Sequence, residues 1–136
     1  MSVRVLIVDD SPYARKIIQH HLGKVGCTVV AEAENGVQAL EMFRRLKPQL
    51  VSLDVMMPVV DNLDSLTVFQ TMRKEDPQVA ILVVSAVPFE KTQDSFIQAG
   101  AVSYIVKPFN KFTFEKARVR LARVFPEMNQ TPNRAQ

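Results

Sequence analysis

Three carboxylates and one lysine carry the chemistry open to this chain. The apolar run VRVLIV, residues 3–8, leads straight into Asp9 and Asp10, and QLVSL, residues 49–53, leads straight into Asp54. A short run of branched apolar residues bounded by turn signals reads as a buried parallel strand, so each set of acids stands at a strand's carboxyl end. In open α/β sheets that edge is where ligands bind. Like charges brought together repel one another, a cost that persists only where a cation or a transferred group offsets it. The cluster therefore asks for a hard divalent metal, with Lys107 answering it from far along the chain.

The elements that must position these groups form a five-fold alternation of strand and helix. After the first strand the spacing predicts a helix over 12–25, with Ala14, Ile17, Ile18, Leu22 and Val25 on one face and Gly26 closing it. Residues 28–33 (TVVAEA) follow as strand two. Asn35 and Gly36 open a second helix running through Leu46, with Ala39, Leu40, Phe43 and Leu46 inward and Pro48 beyond its end. After strand three, 50–54, a third helix runs from Leu63 to about Lys74. Strand four is 80–86, Pro88 starts a fourth helix ending at Gly100, and strand five is 102–106. A last helix, 111–125, carries Phe114, Ala117, Leu121 and Val124 at core spacing. Such alternation implies a parallel sheet with helices on both faces and right-handed crossovers. Five units fit a flavodoxin-like, doubly wound α/β fold of strand order 2-1-3-4-5, which sets strands one and three side by side and makes Asp9, Asp10 and Asp54 converge.

Composition bounds the rest. A chain of 136 residues, 47% hydrophobic and 23% charged, suits one globular domain over 1–125, with 126–136 as an aperiodic, flexible tail. The single cysteine, Cys27, precludes an internal disulfide or a cysteine-pair zinc site and reads as a small buried hydrophobe at a strand start. No apolar run approaches the roughly 20 residues of a membrane span, and the start lacks a secretory pattern, so a cytoplasmic location is the default expectation. Residues 107–136 hold seven basic and two acidic side chains, a net +5 that leaves −2 on the remainder of a +3 chain. A solvated helix face accounts for that basic end, which makes nucleic acid a poor choice of partner.

Taken together, Asp9-Asp10, the D-x-x-M-P stretch from Asp54 to Pro58, Ser85-Ala86, and the Y-x-x-K-P-F stretch from Tyr104 to Phe109 resemble the CheY-like receiver domains of bacterial response regulators. The resemblance covers residues 3 to about 125. It implies that Asp54 is the phosphoacceptor, a carboxylate nucleophile, and that Mg²⁺ (or Mn²⁺) is held by Asp10, Asp54 and the Met56 carbonyl, with Asp9 acting through water. It implies that Lys107 pairs with the phosphoryl oxygens, helped by the Ser85 hydroxyl and the backbone at Ala86. A cis bond at Lys107-Pro108 would aim the lysine. The phosphodonor would be a sensor histidine kinase or a phosphotransfer protein. Ser85 and Tyr104 would couple the site to an output face of helix four, strand five and helix five. On helix five, Phe112, Lys116, Val119 and Arg123 lie off the core stripe and suit a downstream protein or a second copy of the chain. Met56 and Val87 would flank the path of hydrolytic water and tune the phosphoryl lifetime.

Plainer readings stand beside these. Asp9 could cap the first helix, Ser85 could satisfy a turn, and Tyr104 could be a half-buried strand aromatic. His20 and His21 read as a solvated and a half-buried helix position. Asn62 stands where many receivers have glycine, and asparagine tolerates the left-handed turn that glycine would make. A haloacid dehalogenase-type phosphatase would need an acid at position 56, and a dinucleotide binder would want a glycine-rich turn where this chain has Asp-Asp-Ser-Pro. A degenerate receiver that only docks or dimerises is the serious alternative.

Overall fold

The computed structural model describes residues 2–129. Its order is β1 (Val3–Val8), α1 (Pro12–Lys24), β2 (Cys27–Ala33), α2 (Gly36–Leu46), β3 (Leu50–Leu53), α3 (Ser65–Glu75), β4 (Ala80–Ser85), α4 (Glu90–Gln98), β5 (Ser103–Val106) and α5 (Lys111–Val124), followed by a 3₁₀ turn over Pro126–Asn129. All four strand pairings are parallel, and the sheet order is β2-β1-β3-β4-β5. The flavodoxin-like expectation is met.

Strand periodicity divides the core into two layers. Val3, Val5 and Ile7 face a cluster with Ile18 and Leu22 of α1 and Phe114, Ala117 and Leu121 of α5. Leu6 and Val8 point the other way, toward Leu40 and Phe43 of α2, Val68, Phe69 and Met72 of α3 and Phe96 of α4. Burial on both faces is why these strands read as continuous apolar runs. Four of the five α-helices start at polar caps: Ser11, Asn35, Asp64 and Asn110 each accept a backbone N–H of the first turn, whereas α4 follows Phe89.

Several boundaries differ from the sequence reading. The third helix starts at Ser65 and not at Leu63, because Asp61 (φ 53°) and Asn62 (φ 61°) take left-handed conformations and the Leu63 N–H closes a turn on the Val60 carbonyl. Asn62 thus does what the sequence asks of it. The fourth helix starts at Glu90, two residues after Pro88. Val124, expected in the core, is 48% exposed. Its place is taken by Phe125 and Met128, because the 3₁₀ turn folds the chain back and buries both beside Val25 and Cys27. The 3₁₀ turn therefore lies past the expected tail boundary at 125. The rest of that expected tail, 130–136, lies outside the described residues.

Candidate functional site

The switch point between β1 and β3 brings the three acids together. The Asp9 N–H donates to the Ala33 carbonyl at the end of β2, and the Asp54 N–H donates to the Val8 carbonyl at the end of β1 (3.0 and 2.9 Å). Each of Asp9, Asp10 and Asp54 offers a carboxylate oxygen within 4.8 Å of the others. Asp9 is fully buried, Asp54 is 3% exposed, and Asp10 is exposed at the mouth.

Lys107 reaches this cluster from the end of β5, where its N–H donates to the Ser85 carbonyl (2.8 Å) and its peptide bond to Pro108 is cis. Its Nζ lies 2.9 Å from Asp9 Oδ2 and 3.5 Å from Asp54 Oδ2. Asp9 Oδ1 accepts the Ser11 N–H, and Asp54 Oδ1 accepts the Met56 N–H. Burial pushes the Asp54 carboxyl up to about 6; the Met56 N–H and Lys107 work against this, while Asp9 and Asp10 add to it. For Lys107, burial opposes the charge, but the Asp9 hydrogen bond and the charges of Asp54 and Asp9 outweigh it and hold the ammonium above its ordinary range.

Ser85, fully buried at the end of β4, accepts the Val87 N–H on its hydroxyl (3.1 Å). The Tyr104 hydroxyl donates to the Val87 carbonyl (2.8 Å), so β5 and the β4–α4 loop are joined by a side chain that also borders the acid site. Burial raises the Tyr104 phenol, the Ser85 contact lowers it, and the Asp54 charge raises it. Ala86 is exposed beside Ser85, Met56 is 59% exposed and Val87 is half-buried. On α5, Phe112 (79% exposed), Lys116, Val119 and Arg123 are all exposed, opposite the buried Phe114, Ala117 and Leu121.

His20 is exposed, and His21 is half-buried with its ring against Phe109 and Phe114, where burial lowers its pKa. Cys27 is buried, which pushes its thiol up to about 12 and keeps it unreactive. The sequence does not single out Arg15, which lies beside the site. Arg15 donates from a terminal nitrogen to the Asp9 carbonyl (2.6 Å) and from Nε to Glu32 (2.7 Å), tying the β1–α1 turn to β2. Its only signal is a basic residue in the first turn of the helix that follows two acids.

A doubly wound parallel sheet thus carries an acid cluster and an opposed lysine at its carboxyl edge, where sheets of this class bind their ligands. The chain belongs to the response regulator receiver domain family, whose family model matches residues 5–118. It is 42% identical over 109 residues to the chemotaxis protein CheY of Bacillus subtilis, covering 80% of this chain and 88% of that one. It is 38% identical, over the same shares, to CheY of Thermotoga maritima. Among solved structures, it is similar to a CheY chain in the CheX-CheY-BeF₃-Mg complex of Borrelia burgdorferi, at 26% identity and a TM-score of 0.78 over 90% of this chain and 89% of that one. The protein is thus a CheY-like signalling receiver of the two-component type. Among the described residues, no helix is long and apolar enough to cross a membrane.

Proposed function

We propose that this receiver takes a phosphoryl group onto Asp54 from a phosphohistidine of a sensor histidine kinase or a phosphotransfer protein, in a reaction that requires Mg²⁺. The carrying observation is the buried Asp54 carboxylate, held between two further acids and the Lys107 ammonium. The donor set fits the cation: three carboxylates and the Met56 carbonyl are hard oxygen ligands, and the exposed Asp10 leaves room for retained waters. Mn²⁺ suits the same oxygens. When bound, the cation supplies positive charge against the phosphoryl oxygens.

The chain's own groups do the rest. An Asp54 oxygen forms a bond to phosphorus as the donor's P–N bond breaks, and the imidazole keeps the electron pair. Met56 N–H on Oδ1 leaves Oδ2, on the Lys107 side, as the freer nucleophile. The Lys107 ammonium lies within reach of both Asp9 and Asp54, so it can follow the charge as it spreads over the transferred group. Incubation with Mg²⁺ and acetyl phosphate should add one phosphoryl group by intact mass, and EDTA or Asp54→Asn should abolish the gain. Full gain in Asp54→Asn would remove the assignment; a chain that never gains mass would favour the docking-only reading.

The output side of the proposal is the face of α4, β5 and α5. Tyr104 links Val87, next to the site, to a surface groove bordered by Ile97, Lys116 and Arg120. Drawing the Ser85 hydroxyl toward a phosphoryl group would release the Val87 N–H it now accepts and so disturb the Tyr104 contact. That face would take a downstream protein or a second copy of the chain. Lys116→Glu with Val119→Glu should therefore weaken phosphorylation-dependent binding or self-association by about tenfold or more, as one charge reversal and one new charge at an interface would, while leaving phosphorylation unchanged. Binding equal to that of the parent would place the output surface elsewhere.

A further inference from the structure

Ser65, at the first position of α3, is 7% exposed, and its hydroxyl lies 2.9 Å from the Asp54 carbonyl oxygen and 2.8 Å from that of Val55. Among the described residues, no backbone N–H donates to either carbonyl, because β3 ends at Leu53 and its ladder to β4 ends there too. A single O–H is therefore shared by two consecutive peptide units at the point where the chain leaves the sheet. These are the units between Asp54 and Met56.

The other side of the same loop is held by the bond from the Met56 N–H to Asp54 Oδ1. Ser65 itself rides on a fixed body, since Val68, Phe69 and Met72 of α3 are fully buried and Asp64 caps the helix through the Thr67 N–H. The residue is not that helix's cap; its hydroxyl is free to point back at the strand end, and does. We propose that Ser65 is a positioning residue for the acid site, fixing residues 54–56 so that the Asp54 carboxylate and the Met56 carbonyl converge on the cation. This rests on the reading of Asp54 as a Mg²⁺-dependent phosphoacceptor. Outer groups that orient metal ligands commonly change affinity by one to two orders of magnitude when removed.

The test compares the parent, Ser65→Ala, Ser65→Thr and Asp64→Ala in a Mg²⁺ titration that follows the backbone amides of Val55 and Met56 by NMR, with acetyl phosphate rates alongside. Ser65→Ala should weaken Mg²⁺ binding about tenfold and slow phosphorylation, whereas Ser65→Thr keeps the hydroxyl and stays near the parent. Asp64→Ala removes the cap of the same helix, so it should lower the Tm and leave Mg²⁺ affinity alone. Parental Mg²⁺ affinity in Ser65→Ala, or equal weakening in Asp64→Ala, would reduce Ser65 to a structural role and overturn the inference. A parent that neither binds Mg²⁺ nor gains a phosphoryl group would instead bring down the functional reading, and this inference with it.

Discussion

Replacing Asp54 by asparagine should make the metal-free protein more stable at about pH 7.5, by about 3 kcal/mol at most, since each pKa unit is worth about 1.4 kcal/mol. The carboxyl is pushed from 3.8 up to about 6 by burial, against the Met56 N–H, with Asp9 and Asp10 adding to the rise and Lys107 opposing it. An acid whose folded pKa is raised binds its proton more tightly when folded. Its ionisation therefore destabilises the fold as pH rises from 3.8 through about 6, and costs nothing below that window. Asparagine keeps an acceptor for the Met56 N–H and carries no charge, so the variant's advantage should be full above pH 6 and vanish near pH 4. Mg²⁺ reverses the order, because a cation that binds the folded and not the unfolded parent stabilises it by mass action and has one anionic ligand fewer in the variant. Thermal unfolding in EDTA and in Mg²⁺, from about pH 4 to 8, reads all three effects. A variant less stable than the parent in EDTA at neutral pH would show that Asp54 is held by attraction and not against repulsion.

The instability has a physical purpose in the proposed reaction. Lys107 is one cation among three acids, and its shortest contact is to the buried Asp9, so Asp54 is left partly uncompensated. Binding energy from a cation and a phosphoryl group is then spent on relieving a cost already present in the free protein.

Most of this was legible in the sequence because it lies where local pattern and global position agree. The strands are buried on both faces, so VRVLIV and AILVVS could hardly be anything else, and the acids follow them directly. What the pattern hid depends on contacts across the fold. Val124 continues the 114, 117, 121 spacing perfectly well, yet the helix ends there and a 3₁₀ turn carries Met128 underneath instead. Arg15 looks like any solvated helix charge until β2 brings Glu32 beside it. Ser65 has the residue type of a helix cap, and Asp64 has that job; only the Asp54 and Val55 carbonyls just past β3, eleven and ten residues earlier, show what the hydroxyl does.

The phosphorylated form should lose its phosphoryl group slowly, and Met56→Asn with Val87→Glu should speed the loss by about 100-fold, the lower end for a positioned proton-transfer group. Hydrolysis would require a water in line with the Asp54–phosphorus bond, and by resemblance to other receivers the side chains at 56 and 87 would flank its path. Met56 is 59% exposed, and Val87 is half-buried. Both are apolar, so neither can orient a water by hydrogen bonding, and the reaction loses the advantage of a held nucleophile. The structure makes the substitution at 87 a clean one. The Val87 backbone is pinned at both polar groups, its N–H on the Ser85 hydroxyl and its carbonyl under the Tyr104 hydroxyl, so a glutamate there would start from the same Cα position and extend from the same loop. At 56, the N–H bond to Asp54 Oδ1 is likewise a backbone contact that asparagine leaves in place. The measurement is decay of the phosphorylated form by intact mass after acetyl phosphate is removed, with Mg²⁺ kept in excess. Equal decay in parent and double variant would mean that water reaches Asp54 without help or hindrance from these two side chains, and the shielding argument would fall.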